Sequence, residues 1–193
     1  MSFFRPLSKL VSIKAIRNQL YIAGEDGFYH LDINMNTVKT FSNPAAGYRR
    51  IYYNQTNGQI YVAGFILRRI DVFDLNLTFL KSISTNNMSV YVLTGYLNSI
   101  YVGTSSGDIL VIQNENVIFT YFSVCNNLLV TLKFDTNGYM YALCYSPDNI
   151  LKVFYINGAN TGISLYALNA LTVSIDSKGR MVIFRDSALD IYY

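Results

Sequence analysis

Short apolar segments recur along the chain at a nearly constant spacing. They begin at positions 20, 60, 100, 140 and 181, and a tyrosine is the second residue in the first four. The segments are Leu20–Gly24, Ile60–Gly64, Ile100–Thr104, Met140–Cys144 and Met181–Arg185. A pair of turn-forming residues, such as Asn57-Gly58 or Asn137-Gly138, precedes each segment and favours a tight hairpin. A period of this length indicates a repeat architecture.

Each period is predicted to contain four short strands, of which the tyrosine segment is the second. The predicted first, inner strands are Leu10–Ala15, Arg50–Asn54, Ser89–Leu93, Leu129–Asp135 and Leu171–Asp176. The predicted third strands are Phe28–Ile33, Ile70–Asp74, Ile109–Gln113, Leu151–Ile156 and Leu189–Tyr193. The predicted fourth strands are Thr37–Phe41, Thr78–Ser84, Val117–Ser123 and Gly162–Ala167. Helical periodicity is absent between the segments, and repeats of this kind are typical of propeller blades, so we expect an all-β, five-bladed β-propeller of four-stranded blades of about 40 residues.

The fifth period ends at Tyr193 before a fourth strand is reached. Ser2–Leu7 has no place in the first period, and Pro6 is tolerable in an edge strand. We therefore expect Ser2–Leu7 to close the last blade, which makes residues 1–193 a single domain with blades at approximately 10–42, 49–84, 89–123, 128–167, and 171–193 plus 2–7. The alternative is a fragment of a larger propeller.

Three stretches resemble known propeller repeats. Asn57–Gly64 leading to Arg69–Asp74, and Asp135–Tyr141, resemble NHL-type repeats, whereas Ile100–Ile109 resembles quinoprotein-like blades. The resemblance spans nearly the whole chain and implies a propeller, although such families mostly have six to eight blades. The sequence has no Trp, so the Trp-Asp dipeptide of WD repeats and the docking tryptophans of quinoproteins are both missing. The WD-repeat family and a quinone cofactor are accordingly not expected.

Composition excludes several classes of protein. Apolar residues make up 51% of the chain, yet the longest apolar runs are far too short for a membrane helix. The net charge of +3 is too small to indicate nucleic-acid binding. The N-terminal sequence lacks a signal-peptide pattern, and Cys125 and Cys144 have no motif spacing, so we expect buried thiols in a reducing compartment. The predicted location is cytoplasmic or associated with an assembly, with no membrane insertion.

Candidate catalytic residues are few. His30 lies among apolar residues of a predicted strand and is expected to be a core residue. Asp135 and Asp176 begin Asp-x-x-Gly turns, where an aspartate caps the turn backbone. The predicted site therefore contains no catalytic residue, no metal and no cofactor, and we do not expect an enzyme.

Asparagines recur in the connections that lead into the inner strands. They are Asn43, Asn86, Asn87, Asn126, Asn127 and Asn169. Asparagine both donates and accepts hydrogen bonds, so a ring of them around the propeller axis is a candidate site for a glycan or small ligand. The alternative is that these residues serve the turns themselves.

One loop between a second and a third strand differs from the others, which are small or acidic. It contains Phe65, Ile66, Leu67, Arg68 and Arg69, and Arg49 and Arg50 lie in the adjoining connection. Apolar residues bordered by arginines are typical of protein-binding surfaces. The alternative is that Phe65 and Leu67 pack inward against a neighbouring blade.

These patterns favour a non-enzymatic protein-binding or scaffold module, a rigid disc that presents its loops to a protein partner. The alternatives are a lectin-like or small-ligand-binding propeller, a structural component of a larger assembly such as a virion, and, with the least support, a metal-dependent hydrolase of the lactonase type. Nucleic acid is not an expected partner.

Overall fold

The computed structural model describes residues 10–145, 150–155, 160–166, 170–176, 180–185 and 189–192. Blade 1 consists of β1 (Leu10–Ile16), β2 (Gln19–Gly24), β3 (Gly27–Leu31) and β4 (Thr37–Ser42). Blade 2 consists of β5 (Tyr48–Asn54), β6 (Gln59–Gly64), β7 (Arg69–Phe73) and β8 (Phe79–Ser84). Blade 3 consists of β9 (Val90–Tyr96), β10 (Ser99–Thr104), β11 (Ile109–Gln113) and β12 (Asn116–Tyr121). Blade 4 consists of β13 (Leu129–Phe134), β14 (Tyr139–Cys144), β15 (Ile150–Tyr155) and β16 (Asn160–Tyr166), and blade 5 of β17 (Ala170–Ile175), β18 (Met181–Arg185) and β19 (Leu189–Tyr192).

Each blade is an antiparallel sheet in which sequential strands are neighbours. The innermost strands β1, β5, β9, β13 and β17 contact one another in that order. This arrangement confirms the all-β, five-bladed propeller fold, and the observed strands match the predicted ones to within a few residues at their ends. In blades 1 to 4, tight Asn- or Gly-containing turns connect the first and second strands, and Asn18 (φ 60°) and Gly58 (φ 68°) show the positive φ that such residues tolerate.

The repeated tyrosines lie in the cores between blades. Tyr21 packs with Phe28 and Phe73 between blades 1 and 2, and Tyr61 and Tyr101 occupy the next two cores. The Tyr21 hydroxyl donates a hydrogen bond to the carbonyl oxygen of Leu75 in blade 2, at 2.7 Å. A tyrosine supplies a large apolar ring and a polar end, so one side chain fills the core and also satisfies a backbone group of the adjacent blade. The equivalent hydroxyls of Tyr61 and Tyr141 instead bond within their own blades, to Gln59 and Asp135, so what these tyrosines share is the buried or half-buried ring.

Every inner strand contains a bulge at the same place, which the sequence did not predict. In β5 the register moves from the Tyr48–Gly64 pair to the Arg50–Ala63 pair, so Arg49 is the extra residue. The same shift occurs in β1, β9, β13 and β17. A bulge bends the strand and changes the direction of a side chain. The bulged residue of β5 is therefore presented differently from its neighbours.

The two cysteines form a disulfide, which corrects the prediction of buried thiols. Cys125 and Cys144 are joined with a Cα–Cα distance of 5.4 Å, and both residues are almost completely buried. The connection from β12 to β13 lies beside the end of β14, and this proximity could not be read from a sequence separation of 19. The inference of a reducing compartment, which rested on free thiols, loses its basis because stable disulfides are typical of oxidising environments.

The ring of sheets is not closed within the described residues, where blade 5 has three strands. The predicted closing strand Ser2–Leu7 lies outside those residues. Closure by that strand and the assignment of 1–193 to one domain stay predictions. The described part of the chain contains no helix capable of crossing a membrane.

Candidate functional site

The loop from Phe65 to Arg69, here called the blade 2 loop, is held firmly to the connection that enters the same blade. The amide of Phe65 donates to the carbonyl oxygen of Gly47 at 3.1 Å, and the amide of Ile66 donates to that of Ala46 at 3.1 Å. Gly47 has a φ of +56°, and a Cβ there would lie 2.9 Å from the Ile66 side chain. A glycine therefore meets both the conformational and the steric requirement at this position. The loop backbone is fixed before any partner is present.

Phe65 packs against the next blade. Its ring meets the Tyr91 ring edge to face at 89°, with 5.1 Å between centroids, and Phe65 is half-buried. The Arg49 guanidinium carbon lies 4.0 Å from the centroid of the Phe65 ring and 5.9 Å from that of Tyr91. Arg49 and Tyr91 are the extra residues of the bulges in β5 and β9. The inner-strand bulges thus assemble a cation–π cluster that joins blades 2 and 3.

Tyr91 was not singled out from the sequence. The two residues, Arg49 and Tyr91, are 42 positions apart and fall out of the 40-residue register, so their equivalence is visible only from the strand pairing.

Ile66 and Leu67 remain at the surface, beside this cluster. Their exposed fractions are 60% and 37%. Phe65 therefore packs against the neighbouring blade, as the alternative interpretation of the sequence expected. Ile66 and Leu67 form the exposed apolar part of the blade 2 loop.

The predicted group of arginines is divided among different environments. Arg69 forms an ion pair with fully buried Asp71, with 2.7 Å between Nε and Oδ1. Asp71 also accepts hydrogen bonds from the hydroxyls of Tyr48 at 2.5 Å and Ser82 at 2.6 Å. Burial, and then the bond to Asp71, raises the pKa of Tyr48. Arg69 consequently stabilises the inside of blade 2, because a buried carboxylate needs such partners.

Arg68 reaches across to blade 3. Its Nη1 donates to the backbone oxygen of Asn87 at 3.3 Å and to Oδ1 of the same residue at 3.1 Å. The Thr85 hydroxyl donates to the Arg68 carbonyl oxygen at 2.5 Å. The exposed Arg68 side chain is therefore held next to Leu67 by one asparagine of the predicted ring.

Arg50 does not lie with the other arginines predicted for the blade 2 surface. Its side chain lines a cavity between the inner strands, together with Lys133 of β13. Burial, and then the neighbouring charge of Arg49, lowers the pKa of Arg50.

The predicted asparagine ring consists of residues with different local roles. Asn86 and Asn87 adopt positive φ values of 52° and 62° in the connection to β9, which is turn chemistry. Asn43 accepts a backbone hydrogen bond from Ala46 at 3.0 Å. Asn126 and Asn127 are exposed, and Asn169 lies outside the described residues.

The residues considered for catalysis have structural partners. His30 is buried, stacks on Tyr21 at a centroid distance of 4.7 Å, and its Nε2 contacts Oε1 of Gln19. Asp135 accepts amide hydrogen bonds from Asn137 and Tyr139, both at 2.9 Å.

Asp176 has the same turn-capping role, since it accepts the Arg180 amide at 2.9 Å. These contacts confirm the core and turn roles predicted for the histidine and both aspartates. No group of three or more His, Cys, Asp or Glu side chains in the described ranges could hold a metal ion.

The fold is similar to that of solved propellers, although sequence comparison finds no relative. No protein-family model matches the chain, and no curated protein matches it. The WD40 domain of Pan2 from Neurospora crassa superposes with a TM-score of 0.77 at 12% identity, over 94% of this chain and 60% of that one. A chain of the mitotic checkpoint complex superposes with a TM-score of 0.79 at 13% identity, over 95% and 61%. The chain thus spans about three fifths of the length of these structures, and the likeness establishes the propeller fold and not an NHL or quinoprotein subtype.

Proposed function

We propose that the chain is a non-enzymatic protein-binding module and that the blade 2 loop is its contact site. The observation that carries the proposal is the exposure of Ile66 and Leu67 beside two fixed arginines, Arg49 and Arg68. Arginine and aromatic residues dominate the binding energy of protein interfaces, and exposed apolar side chains beside them gain by being covered.

Preorganisation supports this site over other exposed apolar residues. The loop backbone is hydrogen-bonded to Ala46 and Gly47. Arg49 is held over the Phe65 ring, and Arg68 is held by hydrogen bonds to Asn87. A partner would have little loop entropy to remove on binding, which favours affinity. The similarity to a chain of the mitotic checkpoint complex supports a role within an assembly as one form of this function.

The test is a pull-down with the double variant Ile66→Ser/Leu67→Ser, which removes apolar surface and leaves Phe65 in its core position. We expect specific partner recovery to fall by about tenfold or more, the loss expected from an interface hot spot. The matched control is Ile33→Ser, because Ile33 is 70% exposed and lies in the β3–β4 turn at the opposite end of the strands. Unchanged recovery with a folded double variant would refute the site, and equal loss with the control would show that any surface apolar residue matters.

Glycan binding by the asparagines has less support. The Asn87 side chain is already engaged by Arg68, and the positive φ of Asn86 gives it a turn role. A glycan array on the full chain separates the two functions. Binding that survives Ile66→Ser/Leu67→Ser and is lost on substitution of Asn126 and Asn127 would favour the lectin-like alternative.

A further inference from the structure

A cavity of about 320 Å³ lies among the inner strands of blades 2 to 5. The side chains that bear on its chemistry are Arg50 of β5, Thr94 of β9, Thr131 and Lys133 of β13, and Thr172 of β17. Ligand sites in proteins have volumes of about 300–1,000 Å³, so this cavity has room for a small ligand. It is distinct from the blade 2 loop, because the two share no residue.

Two cationic residues, Arg50 and Lys133, line this cavity, and no acidic residue among the described ones does. Within the described part of the chain, neither cation forms an ion pair. The Arg50 guanidinium has five N–H donors and donates to the Arg49 carbonyl oxygen at 3.1 Å. Donors and positive charge therefore remain available to a ligand.

The repeat places a third cation close by. Lys14 in β1 pairs with Tyr21, as Lys133 in β13 pairs with Tyr141, so the two lysines occupy equivalent blade positions. Loss of hydration, and then the charge of Lys14, lowers the pKa of Lys133. Lys133 keeps an exposed side chain, so an anion can reach it, and that anion would offset the repulsion from Lys14.

Threonine hydroxyls complete the wall. Oγ1 of Thr131 and Oγ1 of Thr172 are 3.1 Å apart, so one of the two hydroxyls donates to the other and one hydrogen is left to donate elsewhere. Thr94 is a third hydroxyl in the same wall. Guanidinium, ammonium and hydroxyl donors around one small volume match an anion with several oxygen acceptors.

We propose that this inner-strand cavity is a binding site for a small polyvalent oxyanion, a phosphate compound or a di- or tricarboxylate. Arg50 and Lys133 supply the charge and the threonines supply directional hydrogen bonds. The site goes beyond the proposed protein-binding function, and either can fail without the other.

The test is isothermal titration of the full chain with pyrophosphate and, separately, with citrate, at constant ionic strength set by chloride. We expect saturable binding of one anion per chain. A preference for pyrophosphate identifies the phosphate class, and a preference for citrate identifies the carboxylate class. Absence of saturable binding for both probes would overturn the proposal.

Variants locate the site. Charge-assisted hydrogen bonds contribute about 1.5–3 kcal/mol, so Arg50→Gln and Lys133→Gln should each weaken binding about tenfold or more. Arg50→Lys keeps the charge and should retain more affinity than Arg50→Gln, which separates charge loss from damage to the fold. The matched control is Arg17→Gln/Lys39→Gln, which removes two exposed cations outside both the cavity and the blade 2 loop. An equal loss of affinity in the control would show a general charge effect and overturn the proposal.

Discussion

The disulfide between Cys125 and Cys144 should supply a large part of the stability of the folded chain. A crosslink restricts the unfolded chain, and the entropy removed depends on the number of residues in the closed loop. For a sequence separation of 19, the chain-entropy relation gives about 3 kcal/mol. For a chain of this length, that corresponds to a fall of about 6–12 °C in melting temperature when the bond is removed.

The perturbation is Cys125→Ala/Cys144→Ala, compared with the oxidised wild type. Alanine avoids the unpaired hydroxyl that serine would bury at positions that are only 1% and 2% exposed. Unfolding in urea can be followed by tyrosine fluorescence, since the chain has 17 Tyr and no Trp. Because both sulfurs are enclosed, we also expect a thiol reductant to act on the native protein only as fast as the structure opens.

Single variants provide the control. Either Cys125→Ala or Cys144→Ala already breaks the bond, so the double variant should cost little more than each single variant. Equal unfolding free energies for the oxidised wild type and the double variant would refute the reasoning. Detection of two free thiols per chain in unfolded protein prepared under oxidising conditions would refute the pairing itself.

Three further outcomes follow from local contacts. Gly107→Ala should lower the free energy of unfolding by about 3 kcal/mol or more, because the φ of Gly107 is +80° and a Cβ would lie 2.2 Å from a backbone oxygen. The control Gly58→Ala has a similar φ of +68° but open space around the Cβ, so it should lower the free energy of unfolding by only about 1–2 kcal/mol. Equal losses for the two variants would contradict the steric argument. His30, the sole histidine, should titrate below pH 6.5 by NMR, because burial and then the charge of Lys39 lower its pKa. The free energy of unfolding should therefore decrease as the pH falls below 6.5, where the unfolded chain binds the proton first. A titration midpoint above 6.5 would contradict the buried position of the imidazole. Tyr21 and Tyr101 should ionise near pH 12 in an absorbance titration, since burial raises the pKa of each to about 12. The free energy of unfolding should decrease between pH 10 and pH 12, because the unfolded chain loses these protons first. Ionisation of all tyrosines near pH 10 would contradict the burial of these two.

The number and order of strands could be predicted because a propeller blade is a local structure. A tight turn and a strand of alternating or buried apolar residues can be recognised from a pattern of about ten residues. The 40-residue period repeats that pattern five times. The turn roles of Asp135 and Asp176 follow from the same local chemistry.

The sites depend on contacts between periods, and local patterns do not specify those. Arg49 and Arg50 are adjacent in sequence, yet Arg49 covers Phe65 and Arg50 lines the inner cavity, while Arg69 of the same blade pairs with Asp71. A one-residue bulge sends adjacent side chains in different directions, and only the completed sheet shows which direction each takes.

The sequence by itself determined the fold class and the order of the strands, because these arise from turns and strand patterns within one repeat. Only the tertiary structure decided that Cys125 pairs with Cys144 and that Arg50 and Lys133 share a cavity. Both pairings join residues from different blades or connections, and their proximity results from the packing of whole sheets around the axis.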